Sequence, residues 1–391
     1  MNHPKDKFHD VSDATQARLD AAKAGLKAVH VTDFGIVQNE LEINEPRPQA
    51  LPHVWRWNDV APWLDKVYAG MSLKEVHRRT LALTNPGLDR PLATTSMLCS
   101  MSIYYPGDLA GVHRHSASAS RFLLEGRGGY TTVGNEKCSL ERGDLVITPN
   151  GEWHDHGNDG EAPIIWVNVL DIGLAEKLNA IFTEWDYDEG GRKTTTQSFL
   201  RPAGWSDTMF GHGGVVPKFG PEQRGRGVHS PKYLYRWAHT LEVLEGLRGE
   251  KGSPYDGILV EYTNPMTGGS VVPTMSFRAQ LLRPGETTRM HRHTSSTVCT
   301  VVSGTGCTEI DGTRYEWGPN DIFAIPGWMW HRHINGSKDA LIYSVSDSPT
   351  LEKLHFYREQ ERLDSGEVSE VSPWPARPEQ ATRVGGVPSA Y

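Results

Sequence analysis

The sequence predicts a mainly β fold made of two tandem domains of short strands, with helices on their flanks. One observation is local: residues 111–158 alternate apolar with polar side chains between turns that contain Gly and Pro, as short paired strands do. The other is a repeat, because residues 289–335 align with that stretch almost without gaps. About 100 residues of short strands make one small β-barrel or sandwich, so we expect a duplicated β domain.

Five segments follow from this repeat and from the helical patterns around it. They are a helical arm with an irregular packing segment (1–95), a first β domain (96–171), a linker of helix and loop (172–250), a second β domain (251–350), and a helix with a tail (351–391). Apolar residues at helical spacing predict helices at 14–29, 61–70, 173–182, 230–249 and 351–363. On a helix, Lys74 and Arg78 would share one face. The glycine-rich stretch 210–227 predicts a loop in a linker and lid region.

The composition narrows the class of protein. With 37% hydrophobic and 23% charged residues, the 391-residue chain is typical of a globular protein in water. Its net charge of −8 argues against broad binding of nucleic acid or anionic membranes, and no apolar run is long enough for a membrane span. The first residues lack the apolar core of a signal peptide, and the four cysteines form no CxxC pair. We therefore expect a cytoplasmic protein.

Three histidines in the first β domain form a candidate metal site. His113 and His115 are one residue apart, so on a strand both imidazoles point to the same face. His154 follows after a Gly-rich segment, and a sheet that folds back can bring it beside the first pair. Three neutral imidazoles that converge from two strands suit a divalent transition metal.

The spacing of these residues is similar to the two motifs of the cupin family. The second motif, G-x5-P-x-G-x2-H-x3-N, is complete in GDLVITPNGEWHDHGN, from Gly143 to Asn158. The first motif usually carries a glutamate after its second histidine, but this region holds only Ser and Ala here. The resemblance implies two cupin domains, which are double-stranded β-helix or jelly-roll folds, and a site of three histidines without a carboxylate.

The second β domain repeats the histidines. His291, His293 and His331 align with His113, His115 and His154, and they are a candidate second metal site. The position of Arg121, however, is occupied by Cys299 in this copy. A site without that cation offers nothing to a carboxylate substrate, so we expect this domain to be structural or to bind metal incidentally.

Most of the chain resembles one enzyme family, the bicupin ring-cleaving dioxygenases of gentisate, salicylate and 1-hydroxy-2-naphthoate. The resemblance runs from about residue 48 to 360 and rests on LPHVWRW, RRTLALTNPGL, HRHSASASRFLLEGRG, GDLVITPNGEWHDHGN and YTNPMTGG. It implies Fe(II) in the N-terminal cupin on His113, His115 and His154, with O2 as co-substrate and no organic cofactor. Three ligands on an octahedral ion leave two positions for adjacent phenolate and carboxylate oxygens and one for O2.

The same resemblance assigns roles to further residues. Arg121 matches the family arginine near the substrate carboxylate, where a guanidinium would hold an anion. His156 matches a histidine that steers substrate or oxygen and transfers a proton. Arg78 matches an arginine that lines the pocket. From charge alone, Arg78 would instead belong to a solvated basic face.

The lining of the predicted pocket departs from the family pattern. The usual aromatic, glycine and glutamine are replaced by Leu98, Ser100 and Ser102, and W-x-D-x-x-D becomes Trp166, Asn168 and Asp171. A pocket without the usual contacts to the 5-hydroxyl of gentisate would admit other substituted salicylates or a fused second ring.

Other functions stay open on the sequence alone. They are gentisate 1,2-dioxygenase proper, another metal-dependent cupin enzyme such as an isomerase or decarboxylase, and a bicupin that only binds a ligand. Oxygen uptake with formation of a ring-opened product separates the dioxygenase from the rest. Exposed sheet edges need cover, and the family implies a homo-oligomer, a tetramer in particular.

Overall fold

The computed structural model describes residues 12–185, 187–189, 192–194, 201–212, 215, 217 and 229–371. It divides into two compact units, residues 1–47 and 48–391. The first unit contains α1 (Asp13–Ala28) and α2 (Phe34–Leu41). The Ser12 side chain caps α1 by accepting the backbone N–H of Thr15 at 3.3 Å. The helix predicted from the alanine-rich run is confirmed, whereas α2 was not predicted.

The second unit consists mainly of antiparallel strands. Its helices are α3 (Trp57–Tyr68), α4 (Leu73–Val76), α5 (Ile172–Lys177), α6 (Trp205–Phe210), α7 (Trp237–Gly246) and α8 (Ser348–Lys353). Its strands are β1 (His53–Trp55), β2 (Thr80–Ala82), β3 (Leu98–Tyr104), β4 (Leu109–His115), β5 (Ala119–Glu125), β6 (Gly129–Val133), β7 (Glu136–Ser139), β8 (Leu145–Thr148), β9 (His154–Asn158), β10 (Ile164–Leu170), β11 (Thr183–Trp185), β12 (Tyr187–Glu189), β13 (Arg192–Thr194), β14 (Leu234–Tyr235), β15 (Ile258–Tyr262), β16 (Ser276–Leu282), β17 (His291–His293), β18 (Thr297–Ser303), β19 (Gly306–Ile310), β20 (Thr313–Trp317), β21 (Ile322–Ile325), β22 (His331–Asn335), β23 (Ala340–Ser346), β24 (Glu359–Arg362) and β25 (Val368–Glu370).

Two pairs of sheets form two barrels. The first barrel has the sheets β14-β8-β5-β10-β3-β2 and β11-β4-β9-β6-β7, and the second has β1-β21-β18-β23-β16-β15 and β20-β19-β22-β17-β24-β25. Among the strands that the structure describes, β12 and β13 pair only with each other. Each barrel has its own interior core with apolar residues from both of its sheets, such as Leu123 and Val133 in the first and Phe323 and Ile310 in the second. This arrangement confirms the predicted mainly β fold with two tandem domains.

The outer faces of two sheets, β14-β8-β5-β10-β3-β2 of the first barrel and β1-β21-β18-β23-β16-β15 of the second, share a third core. Phe122 of the first barrel stacks on Tyr343 of the second with ring centroids 4.2 Å apart. Arg142 spans the same junction, donating to the carbonyl oxygen of Val302 at 3.0 Å and to the Asn320 side chain at 2.9 Å. Strand β10 is covered on both faces for this reason, which confirms the buried strand predicted from its continuous apolar run.

Several local predictions differ from the structure. Helix α4 ends at Val76, and His77 has a positive φ of 53°, so Lys74 and Arg78 do not share a helix face. The helix predicted over 351–363 ends earlier, because α8 ends at Lys353. The charged residues at 359–362 form β24, which pairs with β17. The helix expected over 230–249 begins only at Trp237, after β14 has paired with β8.

Two predictions lie largely outside the described residues. They are most of the glycine-rich loop at 210–227 and the end of the tail at 372–391. Among the helices that are described, none combines the length and apolarity that a membrane crossing requires.

Candidate active site

Four histidines meet inside the first barrel. His113 and His115 lie on β4, and His154 and His156 lie on the neighbouring β9. The two strands are antiparallel with His113 directly opposite His154, which places these rings on one face with centroids 4.1 Å apart. The ring of His115 is 4.8 Å from that of His154, and the ring of His156 is 5.2 Å from it. The structure thus brings together the four histidines that the sequence singled out in the first β domain.

Backbone carbonyls hold the first histidine trio, which we define as His113, His115 and His154. In each of the three, Nδ1 is hydrogen bonded to a carbonyl oxygen two residues away: Gly111 at 2.8 Å, Ala117 at 2.7 Å and Glu152 at 2.8 Å. A carbonyl only accepts, so Nδ1 carries the proton and donates it. The lone pair of each ring is therefore on Nε2. His156 differs, because its Nδ1 meets the Thr131 hydroxyl at 3.1 Å.

The nitrogen atoms that face the barrel interior fit a divalent transition metal. Nε2 of His115, His154 and His156 is buried without a hydrogen-bond partner among the described residues. The candidate ligand atoms of His113, His154 and His156 lie within 4.8 Å of one another. Buried imidazole lone pairs whose other nitrogen is fixed by a carbonyl are the usual arrangement of metal-binding histidines.

The histidines are neutral, which is the form that binds metal. Burial, with a smaller contribution from the nearby arginines, lowers the pKa of His113 to about 2 and the pKa of His115 to about 4. Burial also lowers the pKa of His154 and His156 well below 6.5. Near neutral pH no proton has to leave before a cation binds.

Arg121 is a buried cation without an anionic partner. It lies on β5 with 3% of its surface exposed, and it donates from Nη1 to the Thr148 hydroxyl at 2.7 Å. Burial and the neighbouring Arg78 lower the pKa of Arg121 to about 9, which still leaves it charged at neutral pH. No described carboxylate forms an ion pair with it, so an anionic ligand would relieve the cost of burying this charge.

Arg78 lies at the same site, contrary to the alternative of a solvated basic face. It approaches Nε2 of His113 with Nη2 at 2.5 Å, and its guanidinium lies 5.6 Å from the centroid of the Trp185 ring. The adjacent Arg79 points elsewhere, where it pairs with Asp108 and donates from Nε to the carbonyl oxygen of Met71 at 2.9 Å. One arginine of the pair therefore stabilises a turn, and the other faces the histidines.

A cluster of neutral polar side chains lines one wall of the pocket. Arg121 pairs in register with Asn168, which pairs in turn with Ser100, so the three lie side by side across β5, β10 and β3. The Asn168 amide donates to the hydroxyls of Ser100 at 3.2 Å and Ser102 at 2.9 Å. Thr80 continues the cluster at 2.8 Å from Ser102. No carboxylate stands in this wall.

The remaining predicted lining residues divide into two groups. Leu98 and Trp166 lie on β3 and β10, and the Trp166 ring lies 6.1 Å from that of His156. Asp171 instead has both carboxylate oxygens occupied away from the histidines, by the backbone N–H of Ser118 at 2.8 Å and by the Thr274 hydroxyl. The structure therefore gives Asp171 a structural contact rather than a place in the pocket.

Two aromatic residues at the site were missed by the sequence analysis. Tyr104 is buried on β3, close enough for Arg78 and Arg121 to partly offset the rise in its pKa that burial causes. Trp185 on β11 pairs opposite His113, and the two rings are 5.1 Å apart. Tyr104 could have been found by its alternation with Ser100 and Ser102 along one strand. No local signal marks Trp185, because its place depends on pairing with β4.

The second barrel contains a second histidine trio, His291, His293 and His331. Their candidate ligand atoms also lie within 4.8 Å of one another. His331 pairs directly opposite His291, as His154 does opposite His113.

Comparison with known proteins places this geometry in a family. A model described as "Cupin domain" matches residues 100–170 and 279–346, one stretch in each barrel. The chain is 37% identical over 362 residues to 5-aminosalicylate 1,2-dioxygenase of a Comamonas species, covering 89% of this chain and 91% of that protein. It is 34% identical to gentisate 1,2-dioxygenase 1 of Aquipseudomonas alcaligenes, covering 83% and 90%.

A solved structure gives the same result at the level of the fold. The crystal structure of salicylate 1,2-dioxygenase from Pseudoaminobacter salicylatoxidans, as an adduct with gentisate, superposes with a TM-score of 0.80. The two chains are 28% identical, and the match covers 90% of this chain and 96% of the other. With two barrels, a pocket of buried histidines and these relatives, the chain belongs to the bicupin family of ring-cleaving dioxygenases that act on acids of the gentisate, salicylate and hydroxynaphthoate type.

Proposed function

We propose that this protein is an Fe(II)-dependent dioxygenase that cleaves the ring of an ortho-hydroxy aromatic acid between the carbons bearing the hydroxyl and the carboxylate. The proposed substrate is a substituted salicylate or a fused-ring acid of the 1-hydroxy-2-naphthoate type. One observation carries the proposal: neutral, carbonyl-held imidazoles lie beside two arginines that have no described carboxylate partner. This pocket suits a cation and an anionic aromatic ligand together.

The first histidine trio would hold the metal through Nε2. When bound, Fe(II) would supply the one-electron chemistry that lets dioxygen react with an aromatic ring, which no side chain provides. The protein contributes the fixed orientation of the imidazoles, because each Nδ1–H is already committed to a carbonyl.

The choice of His115 over His156 as the third ligand rests on the internal repeat. His156 is close enough to His113 and His154 to complete a site. In the second barrel, however, the three histidines that cluster are the counterparts of His113, His115 and His154. His115 also shares the carbonyl contact of the other two, whereas His156 does not.

The two arginines would bind the acidic end of the substrate. A guanidinium that donates to a carboxylate in a buried site stabilises the complex by about 1.5–3 kcal/mol, or roughly 10- to 150-fold in affinity. Arg121 is held in place by Thr148, so little entropy is lost when the anion binds. The ring of Trp185 lies against Arg78 and would cover one edge of the bound acid.

His156 would handle the substrate proton. Its Nε2 is buried and free of described partners, and burial lowers its pKa, so the ring rests neutral. In the tautomer that donates from Nδ1 to the Thr131 hydroxyl, the lone pair is on Nε2 and would accept a proton from the phenol. The hydroxyl of Thr131 at Nδ1 fixes the orientation of the ring.

The polar wall supports a substrate other than gentisate. The Asn168 amide donates its hydrogen bonds to the hydroxyls of Ser100 and Ser102. None of the three residues has a carboxylate that could accept from a 5-hydroxyl. A wall of small neutral groups leaves room for another substituent or a second ring. The relative named 5-aminosalicylate 1,2-dioxygenase is an example of a family member that acts on a substituted salicylate.

The test is oxygen uptake by anaerobically Fe(II)-loaded enzyme with a panel of gentisate, salicylate, 5-substituted salicylates and 1-hydroxy-2-naphthoate. We expect kcat/KM to be highest for a substituted salicylate or for the fused-ring acid, with a ring-opened product absorbing in the near ultraviolet. The matched variant Asn168→Asp restores the acid of the family motif, and it should shift preference toward gentisate by about tenfold. A strong preference of the unmodified enzyme for gentisate would defeat the substrate assignment, and absence of oxygen uptake with every acid would defeat the proposed function.

We further propose that the chain forms a homo-oligomer, with a tetramer expected for the family. Leu178, Ile181 and Phe182 are apolar side chains close together in sequence, with 68%, 48% and 46% of their surface exposed. Exposed apolar clusters of this kind are typical of protein interfaces. Light scattering coupled to size-exclusion chromatography measures the mass directly, and a monomer would contradict the proposal.

A further inference from the structure

Two of the three rings in the second histidine trio are held like those of the first, whereas Nδ1 of His291 is buried without a hydrogen-bond partner among the described residues. His291 and His293 lie on β17, and His331 lies on β22. Nδ1 of His293 is 2.8 Å from the carbonyl oxygen of Ser295, and Nδ1 of His331 is 2.9 Å from that of Met329. These are the same two-residue contacts that orient His115 and His154, so Nε2 again carries the lone pair.

The strand that faces the trio differs between the barrels. In the first barrel, β11 places Thr183 opposite His115 and Trp185 opposite His113. In the second, β24 places Glu359 opposite His293 and Glu361 opposite His291. Directly opposed residues of an antiparallel pair point to the same face. Two carboxylates therefore border the second trio where the first has a threonine and a tryptophan.

Two tyrosines connect these carboxylates to the trio. The Tyr255 hydroxyl donates to Glu361 at 2.9 Å, and its ring lies 4.9 Å from that of His291. The Tyr357 hydroxyl donates to Glu359 at 3.0 Å, and its ring stacks 6.4 Å from that of His293. Both carboxylates are thus held in place beside the histidines.

The charged residues at matching positions differ between the two trios. Asp256 lies two residues before β15, as Arg78 lies two residues before β2. Burial lowers the pKa of His331, and the nearby Asp256 carboxylate acts against that shift. The uncharged Cys299 stands where Arg121 does. Arg278, a cation that acts on His293, is paired with Glu261 at 3.3 Å, and Arg289 lies 3.7 Å from the Glu361 carboxylate.

We propose that the second barrel binds its own divalent transition metal through His291, His293 and His331, in a pocket bordered by carboxylates that does not accept the aromatic acid. Three clustered imidazoles, two of them oriented by backbone carbonyls, provide the ligands, and nearby negative charge favours a dication. The same negative charge repels a carboxylate ligand, and Asp256 and Cys299 stand where the first barrel has Arg78 and Arg121. This second ion would stabilise the barrel, because it binds the folded state.

The first experiment counts metal ions in a chain whose first site has been removed. His113→Ala/His154→Ala protein is dialysed against Co(II), and bound metal is measured by plasma mass spectrometry. We expect about one ion per chain, together with an increase in Tm on Co(II) binding. Adding His291→Ala/His331→Ala should abolish both, whereas His333→Ala, which removes a buried histidine outside the trio, should keep them. No bound ion in the His113→Ala/His154→Ala chain, or an ion that survives the loss of His291 and His331, would overturn the proposal.

One further readout uses the unmodified chain, so it does not depend on how those variants fold. The unmodified chain saturated with Co(II) should hold two ions, and a single ion would overturn the second site. In the chain that keeps only the second site, salicylate should leave the visible Co(II) spectrum unchanged, whereas a shift would show that the acid reaches the metal. Glu359→Gln/Glu361→Gln should weaken Co(II) binding about 10- to 100-fold, and unchanged binding would contradict the role of the carboxylates.

Discussion

Each histidine of the first trio is oriented by a carbonyl two residues away in its own chain. Gly111 lies within β4, and Ala117 and Glu152 lie in the loops after β4 and before β9, so none of the three contacts uses a distant side chain. A motif of closely spaced histidines and glycines can therefore encode both the ligands and their orientation. This explains why the candidate metal site was visible in the sequence, where the spacing alone pointed to His113, His115 and His154.

The assignment of the third ligand gives a first prediction. His115→Ala should lower the iron content by about one ion per chain, because it removes a carbonyl-oriented Nε2 from the site. His156→Ala is the matched control, since it removes a neighbouring buried imidazole. It should keep the iron and lower kcat by about 100-fold through loss of proton transfer. Plasma mass spectrometry and oxygen uptake measure both quantities, and loss of iron in His156→Ala alone would contradict the assignment.

The unpaired charge of Arg121 gives a second prediction, in which one substitution lowers activity but raises stability. Arg121→Met should reduce kcat/KM by about 100-fold or more and raise the free energy of unfolding of the ligand-free protein by about 1–3 kcal/mol. Arg79→Met is the comparison, because Arg79 is equally buried but pairs with Asp108. It should destabilise the protein by about 3 kcal/mol or more. Urea unfolding distinguishes the two, and destabilisation by Arg121→Met would argue against an unpaired cation.

At the scale of single residues, the sequence identified candidate site residues more accurately than the elements and contacts that hold them. Arg121 and His156 lie where the family resemblance implied. Arg78 does so too, but from a loop rather than from the helix predicted by its spacing to Lys74. Asp171 is displaced from the pocket because its carboxylate contacts Ser118 and Thr274. Both differences depend on contacts between segments that are distant in sequence.

Strands from outside the repeated motif complete both barrels. Strand β11 extends the sheet that carries the first trio, β14 extends the facing sheet, and β1 joins a sheet of the second barrel. These strands are two or three residues long, too short for a periodicity of their own. Strand β24 is four residues long, and its charged sequence favoured a helix until pairing with β17 decided otherwise.

The position of β11 yields a third prediction. Trp185→Ala should raise KM for the aromatic acid about tenfold with little change in kcat, because an aromatic wall beside Arg78 and His113 is lost. Trp63→Ala is the control, since Trp63 is exposed to a similar extent (50% against 55%) and lies on α3. Steady-state kinetics measure both variants. Equal effects on KM would mean that Trp185 plays no part in binding.

In the molecule as a whole, two equivalent aspartate hydrogen bonds, which we call the clasps, link the two barrels. Asp171, at the end of the first barrel, accepts from the Thr274 hydroxyl just before the second. Asp347, at the end of the second, accepts from the Ser96 hydroxyl just before the first. Each also accepts a backbone N–H, from Ser118 or Ser296, at 2.8 Å. The duplication was predicted from sequence. These two hydrogen bonds were not, because they depend on how the outer sheet faces pack together.

These clasps give a fourth prediction. Burial raises the pKa of Asp171 and of Asp347 to about 6, above the value of about 4 in an unfolded chain. The folded state therefore binds protons more tightly, so this contribution to stability is fully present below about pH 4 and is lost as the pH rises through 6. The free energy of unfolding, measured with urea, is compared between the unmodified protein and the Asp171→Asn/Asp347→Asn variant. As the pH falls from 7 to 4.5, it should rise by a few kcal/mol more in the unmodified protein than in the variant. A pH-independent difference would contradict the prediction.

The central claim concerns which nitrogen atoms bind the catalytic metal. Anomalous diffraction at the iron edge, from crystals loaded with Fe(II) and a salicylate without oxygen, tests it most directly. We expect a peak in the first barrel about 2.1 Å from Nε2 of His113, His115 and His154, with the acid bound between that peak and Arg121. A peak coordinated by His156 in place of His115, or no iron in the first barrel, would contradict the account.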